Sequence, residues 1–242
     1  MLRCVKRFTE SVRRVTMKVN EIFFSLSGEG IHAGIPTVFV RLTGCNLRCD
    51  YCDTQYAWEG GEELSIGRVA NRVRDLKRCG WVLITGGEPL LQLDAVHETN
   101  LVEKLCYEEH KVEIETNGSV DPPSYFKSVS CWSVDVKCPS SGPSYGTFRV
   151  AWLKRLRKCD QLKFVVGTEE DLDFVCEFLN GNRCRAQMLI SPLIPNSPNS
   201  LTGDVLMSQR WWLQHCAEFC KKYNVRLSLQ LHKIIYGDRR GV

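Results

Sequence analysis

The sequence has no apolar run long enough to span a bilayer. It has no internal repeat, no low-complexity tract and no linker that would mark off a second domain. An integral membrane protein is therefore not expected. Its 13 cysteines are an odd number without a secretory leader. That argues against a disulfide framework and for a reducing, cytoplasmic setting. A basic field is also missing. The net charge of +4 arises in residues 1–16, where Arg3, Lys6, Arg7, Arg13 and Arg14 face only Glu10. Residues 17–242 carry equal numbers of basic and acidic side chains. A body of that kind offers no global attraction to nucleic acid. Residues 1–16 read as a disordered basic extension, and residues 17–242 as a single domain that begins with a strand near Met17.

What the sequence does have is alternation. Residues 19–24 and 37–42 read as strands. A helix follows over 65–77, with Ile66, Val69, Val73 and Leu76 on one face. Strands at 81–84, 111–115, 132–136, 162–166, 188–190 and 226–230 then alternate with helices at 95–109 and 204–223. Thr168 and Asp171 form a capping box at the start of another helix. This pattern predicts an α/β fold with a parallel sheet. Polar motifs fall just after the strands: Thr85-Gly-Gly-Glu-Pro, Glu115-Thr-Asn-Gly, Asp135-Val-Lys137, Ser191-Pro192 and Gln230-Leu-His232-Lys. In barrels of βα units, that rim is where ligands bind.

Three cysteines, Cys45, Cys49 and Cys52, are packed into GCNLRCDYCDT. A structural zinc site wants four protein ligands, whereas three leave a position open for chemistry. Iron–sulfur cubes are likewise held by four cysteines as a rule, so a cube on three has one iron free. The competing reading is a set of core cysteines or a zinc knuckle. Cys79, Cys106, Cys176 and Cys216 fall on predicted helices among apolar neighbours and read as packing residues. Cys216 and Cys220 share a helix face, with nothing nearby to complete a metal site.

The C-x3-C-x2-C spacing resembles the cluster motif of the radical S-adenosylmethionine (SAM) superfamily, and ITGGEP at 84–89 resembles its GGEP motif. In order, Ser27-Gly-Glu-Gly, Arg41, CDT, ETNGS, DVKCPSSG and LQLHK resemble the 7-carboxy-7-deazaguanine synthase family within it. The resemblance covers Met17 to the end. It implies a partial TIM-like βα barrel and a carbon–nitrogen lyase of the queuosine and archaeosine pathways. The implied reaction converts 6-carboxy-5,6,7,8-tetrahydropterin to 7-carboxy-7-deazaguanine, with hydrogen abstraction by a 5′-deoxyadenosyl radical, ring contraction and loss of ammonia.

The resemblance also implies cofactors and roles. Cys45, Cys49 and Cys52 hold a 4Fe–4S cluster, and Thr54 binds Mg²⁺. Tyr51, Gly87, Glu88, Glu115, Asn117, Asp135, Lys137 and Ser191 surround SAM, with Glu88 on its amino group. Leu26, Ser27, Gly28, Glu29, Arg41, Thr85, His232 and the terminal Val242 face the pterin, and Arg41, His232 and Glu29 act in the reaction. Arg41 suits a carboxylate gripped bidentately. The family usually has Gln where this chain has Ser27, a shorter side chain that cannot reach the same atoms. Implied partners are a flavodoxin or ferredoxin as electron donor and a second copy in a homodimer. Two alternatives are a glycyl-radical-enzyme activating protein and a non-catalytic metal- or RNA-binding module.

Overall fold

The computed structural model describes residues 16–76, 80–93, 101–194, 203–237 and 239–242. The basic leader before Thr16, Cys79, and the expected helical residues 77 and 95–100 lie outside the described residues. Among the described residues nine strands form one sheet: β1 (Thr16–Leu26), β2 (Pro36–Leu42), β3 (Glu62–Ser65), β4 (Trp81–Gly86), β5 (Lys111–Thr116), β6 (Cys131–Val136), β7 (Gln161–Val166), β8 (Gln187–Pro192) and β9 (Arg226–Leu227). Their order is β3-β1-β2-β4-β5-β6-β7-β8-β9. β1 runs antiparallel to both β2 and β3, and every pairing from β2 onward is parallel. The sheet has two edges, β3 and β9, so the barrel is partial. Seven helices accompany it: α1 (Ile66–Leu76), α2 (Leu90–Leu93), α3 (Leu101–Tyr107), α4 (Ala151–Arg155), α5 (Glu169–Gly181), α6 (Gly203–Tyr223) and α7 (Leu231–Tyr236). No described helix is long and apolar enough to cross a membrane.

The period-2 geometry of a strand sorts its residues onto two faces. From β2 through β7, even-numbered residues face the helices: Val38, Val40, Val82, Ile84, Val112, Ile114, Trp132, Val134, Leu162 and Phe164 are buried in the hydrophobic core. Each side chain of this kind contributes roughly 1.5–3 kcal/mol on burial. Odd-numbered residues face inward and line a cavity: Phe39, Arg41, Leu83, Thr85, Glu113, Glu115, Ser133, Asp135, Gln161 and Lys163. The parallel register keeps the two sets apart across the sheet, pairing Arg41 with Thr85, Glu115 with Ser133 and Asp135 with Lys163.

Several details differ from the sequence-based expectation. The last strand stops at Leu227 rather than Gln230. The Gln230 side chain instead accepts from the Ile194 N–H and donates to Glu29, and α7 begins at the next residue. β3, α4 and α7 are too short to show a period in sequence. Leu76 is exposed, although Ile66, Val69 and Val73 are buried. The capping box is present, with Thr168 accepting from the Asp171 N–H and Asp171 accepting in return. Cys216 and Cys220 are buried in the core. Cys106 packs against the core, and Cys176 meets the Tyr223 hydroxyl.

Candidate active site

The loop after β2 carries the three cysteines, and its path is set by glycines. Gly44 has a φ of 97°, a conformation that disfavours a side chain. Gly86 and Gly87, which end β4, lie against this loop. A Cβ on Gly86 would strike the Leu42 backbone, and one on Gly87 would strike the Gly44 carbonyl. The close approach allows Gly87 N–H to donate to Leu42 O at 3.2 Å and Glu88 N–H to Gly44 O at 2.7 Å. The paired glycines thus zip the β4 loop to the cysteine loop.

Cys45, Cys49 and Cys52 open onto a single cavity of about 530 Å³ at the C-terminal rim of the parallel strands. Burial pushes the Cys45 and Cys52 thiols up. Binding a metal requires their protons to leave, and a metal's charge reverses that preference. Leu47 N–H lies 3.4 Å from the Cys45 sulfur and Asn117 Nδ2 3.8 Å from it. The Tyr51 hydroxyl is buried without a hydrogen-bond partner among the described residues, and Asp135 Oδ1 has only the Lys163 ammonium, at 3.5 Å. A polar ligand beside the three thiols would satisfy both. Donor set, glycine cradle and orphaned polar atoms therefore fit a three-thiolate cluster with a polar ligand beside it.

The cavity gathers all but two of the residues singled out in sequence. Leu26, Ser27, Gly28, Glu29, Arg41, Tyr51, Thr54, Thr85, Gly87, Glu115, Asn117, Asp135, Lys137, His232 and Val242 all line it with the cysteines. Glu88 and Ser191 do not. Glu88 is fully buried, and its carboxylate accepts from Thr116 Oγ1 at 2.8 Å, Asn117 N at 2.7 Å and Leu90 N at 3.1 Å. Burial raises its pKa to about 7. A carboxylate engaged in this way braces the GGEP loop against the ETNG loop. Ser191 is fully buried behind the cavity wall, its hydroxyl without a partner among the described residues.

The cavity is also lined by charged groups. Arg41 Nε donates to Glu21 Oε1 at 2.7 Å, and the Tyr56 hydroxyl donates to the same oxygen at 2.9 Å. Arg240 sits 3.6 Å above the Tyr56 ring, which brings Gly241 and Val242 to the cavity wall. His232 lies on α7 rather than directly after a strand. Its ring stands 3.9 Å from Glu29 and 3.8 Å from Asp53. Gly28 makes room for it, since a Cβ there would collide with the imidazole. Thr54 Oγ1 donates to Asp53 Oδ1 at 2.8 Å. Burial opposes the Asp53 charge, but His232, Lys233 and Thr54 outweigh it and hold the carboxyl well below its usual range.

Other cavity residues went unmarked in sequence: Glu21, Tyr56, Glu113, Gln161 and Lys163, while Asp53, Gln230 and Lys233 had appeared there only as parts of motifs. Lys163 contacts Glu29 at 2.7 Å and Glu115 at 2.6 Å. Glu113 pairs with His32 at 2.7 Å and with Gln161 at 2.9 Å near the N-terminal end of the strands. Alternation inside KVEIET, CWSVDV and QLKFVV was the available signal, because each places polar side chains on the face opposite the apolar ones.

The comparisons with known proteins agree with this geometry. The Radical SAM superfamily matches residues 39–129. The 7-carboxy-7-deazaguanine synthase of Methanospirillum hungatei JF-1 is 38% identical over 219 residues, 90% of this chain and 85% of that one. The Thermoplasma acidophilum enzyme of the same name is 36% identical over 227 residues, 93% of this chain and all of that one. Among solved structures, QueE from Escherichia coli is similar with a TM-score of 0.66 and 25% identity, covering 90% of this chain and 95% of that one. Together with the three-thiol cavity at the rim of a partial barrel, these relationships show that the chain belongs to the 7-carboxy-7-deazaguanine synthase family of the radical SAM superfamily.

Proposed function

We propose that this chain converts 6-carboxy-5,6,7,8-tetrahydropterin to 7-carboxy-7-deazaguanine with loss of ammonia. The observation that carries the reading is one cavity that brings the three thiols together with Arg41, Glu29 and His232. A 4Fe–4S cluster on Cys45, Cys49 and Cys52 with SAM, when bound, supplies hydrogen-abstracting radical chemistry. The chain's own residues then position and enclose the substrate. Arg41 grips the carboxylate, held in place meanwhile by Glu21. Glu29 accepts from ring N–H groups, and its charge is kept by Lys163. His232 donates to the substrate or moves a proton at Nε2 or Nδ1. Tyr51, Asn117, Asp135 and Lys137 orient SAM, and Gly87 lets it approach the backbone. The C-terminal residues, with Arg240 over Tyr56, close one side against water.

Finer features belong to the same proposal. Mg²⁺ sits at Thr54, where further oxygens come from water and the substrate. A flavodoxin or ferredoxin delivers the electron, the protein works in the cytoplasm as a homodimer, and the product feeds queuosine or archaeosine. A glycyl-radical-enzyme activating role or a non-catalytic metal- or RNA-binding role is not favoured by the family relationship. The deciding experiment is anaerobic incubation of reconstituted protein with SAM, a reductant and the carboxypterin, with products identified by mass spectrometry. A product of the mass of 7-carboxy-7-deazaguanine is expected. SAM cleavage with unaltered pterin would overturn the substrate assignment.

A further inference from the structure

Lys163 projects from the middle of β7 into the cavity, and its side chain is 5% exposed. Its neighbours Leu162 and Phe164 face the hydrophobic core. The ammonium donates to Glu29 Oε2 at 2.7 Å and Glu115 Oε1 at 2.6 Å, and lies 3.5 Å from Asp135 Oδ1. These carboxylates come from the loop after β1, from β5 and from β6. Among the described residues, no other cation pairs with both Glu29 and Glu115. Burying a lysine costs free energy that an apolar residue would avoid, so a cation here is a poor choice for strand packing alone.

We propose that Lys163 is a positioning residue for substrate recognition: its ammonium fixes Glu29 as a charged acceptor at the pterin end, while Glu115 and Asp135 hold that ammonium from the other side. This rests on the function proposed above. Glu29 cannot be aimed by its own segment alone, because it precedes a short turn at Gly30–His32 and has no cap contact. Its two oxygens are shared between Lys163 on one side and Gln230 Nε2 at 3.0 Å on the other. Burial works against the Glu29 charge, and Lys163, then His232, reverse that and hold its pKa below the usual carboxylate range. The remaining charged groups around this network are known. Asp53 and Lys233 lie beyond His232, Lys137 pairs with Asp135, and Glu113 with His32 lies below Glu115.

The test compares wild type with Lys163→Met, which keeps most of the unbranched side chain and removes the charged end. Carboxypterin affinity of the SAM-loaded holoenzyme is titrated anaerobically from pH 6 to pH 8.5. In wild type Glu29 stays ionised throughout. Without Lys163 the burial of Glu29 is less fully offset and its pKa rises, so the variant's deficit, about tenfold or more, is largest at the acid end of the range and shrinks as pH rises. SAM affinity should change far less. In a Glu29→Gln background, Lys163→Met should add no pH-dependent loss. A deficit equal at all pH values, or an equal loss of SAM binding, would overturn the proposal. If Lys163→Met does not fold, Lys163→Met/Glu115→Gln removes one charge of each sign and must show the same pH signature. Wild-type protein that does not bind the carboxypterin would overturn the substrate reading itself, whatever Lys163 does.

Discussion

Around the cluster loop, the polar groups other than the Tyr51 and Thr43 hydroxyls are largely answered within the chain. The Glu88 carboxylate accepts from three donors, the Gly87 and Glu88 N–H groups donate to Leu42 O and Gly44 O, and Asn117 accepts from Ser119 while reaching Asn46. Around Arg41 and His232 the charges stay in the cavity, and their partners are themselves cavity residues: Glu21, Asp53 and Glu29. The difference separates two jobs. The first end is a rigid cradle whose geometry depends on close backbone approach. The second is a set of exchangeable ion pairs that a ligand's own charges can enter. Damage at the first should disturb chemistry or folding, and damage at the second should disturb choice of substrate.

The strongest break is at the thiols. Cys49→Ala should reduce 5′-deoxyadenosine formation to background and bleach the visible absorbance of the reconstituted protein. Normal cleavage in that variant would remove the cluster from the cysteine loop.

Glu88 tests the cradle as structure. Its pKa is raised in the folded state to about 7 by burial, so between about pH 4.5 and pH 7 the native state binds more protons than the unfolded one. Its contribution to stability is therefore greatest at low pH and declines as pH rises to 7, by something on the order of 3 kcal/mol. The Tm of wild type relative to Glu88→Gln should accordingly be most favourable near pH 5 and worsen toward pH 7. A gap that widens in the other direction would show that the three donors keep Glu88 charged at low pH.

Arg41 tests the other end. A charged hydrogen bond is worth about 1.5–3 kcal/mol net, so Arg41→Ala should weaken carboxypterin binding by roughly 10- to 150-fold. SAM affinity and the cluster spectrum should be nearly unchanged. Loss of SAM binding with pterin binding intact would reverse the division of the cavity.

The mildest perturbation lies outside both ends. Thr168→Ala removes the α5 cap and should cost about 0.5–2 kcal/mol of stability. Denaturant titration should register it while both ligand affinities hold. A change in either affinity would extend the site to the α5 cap, whose Asp171 also accepts from the Ser140 N–H.

The cradle was legible in sequence because its determinants are local. Three cysteines within eight residues and two adjacent glycines carry their geometry with them. The sheet was legible because its outward ladder is apolar. The inward ladder was not, since strands such as QLKFVV read as buried runs in which one lysine looks incidental. Only the barrel's curvature turns Lys163, Glu113 and Gln161 toward a common space. The bracing contacts of Glu88 were hidden for a related reason. A sequence shows an acid beside glycines, but not the three donors that a distant strand and its own loop bring to it. Gln230 looked like the end of a strand because its side-chain contacts lie about 36 and 201 residues away.

Those last contacts have a consequence in time. Leu231 N–H donates to Gly28 O, Ser228 Oγ receives the Gly30 N–H, and Gln230 reaches Glu29. This clasp bridges the open side of the sheet and joins the two ends of the chain. Contacts of such long sequence separation are costly to close and late to be rewarded. On a ribosome, the strands from β1 to β8 can pair while the segment holding His232 is still unsynthesised. The part of the cavity that holds His232 therefore comes into being only after β8 and the segment that follows it have been made, when the cradle of the cysteine loop already has its strands.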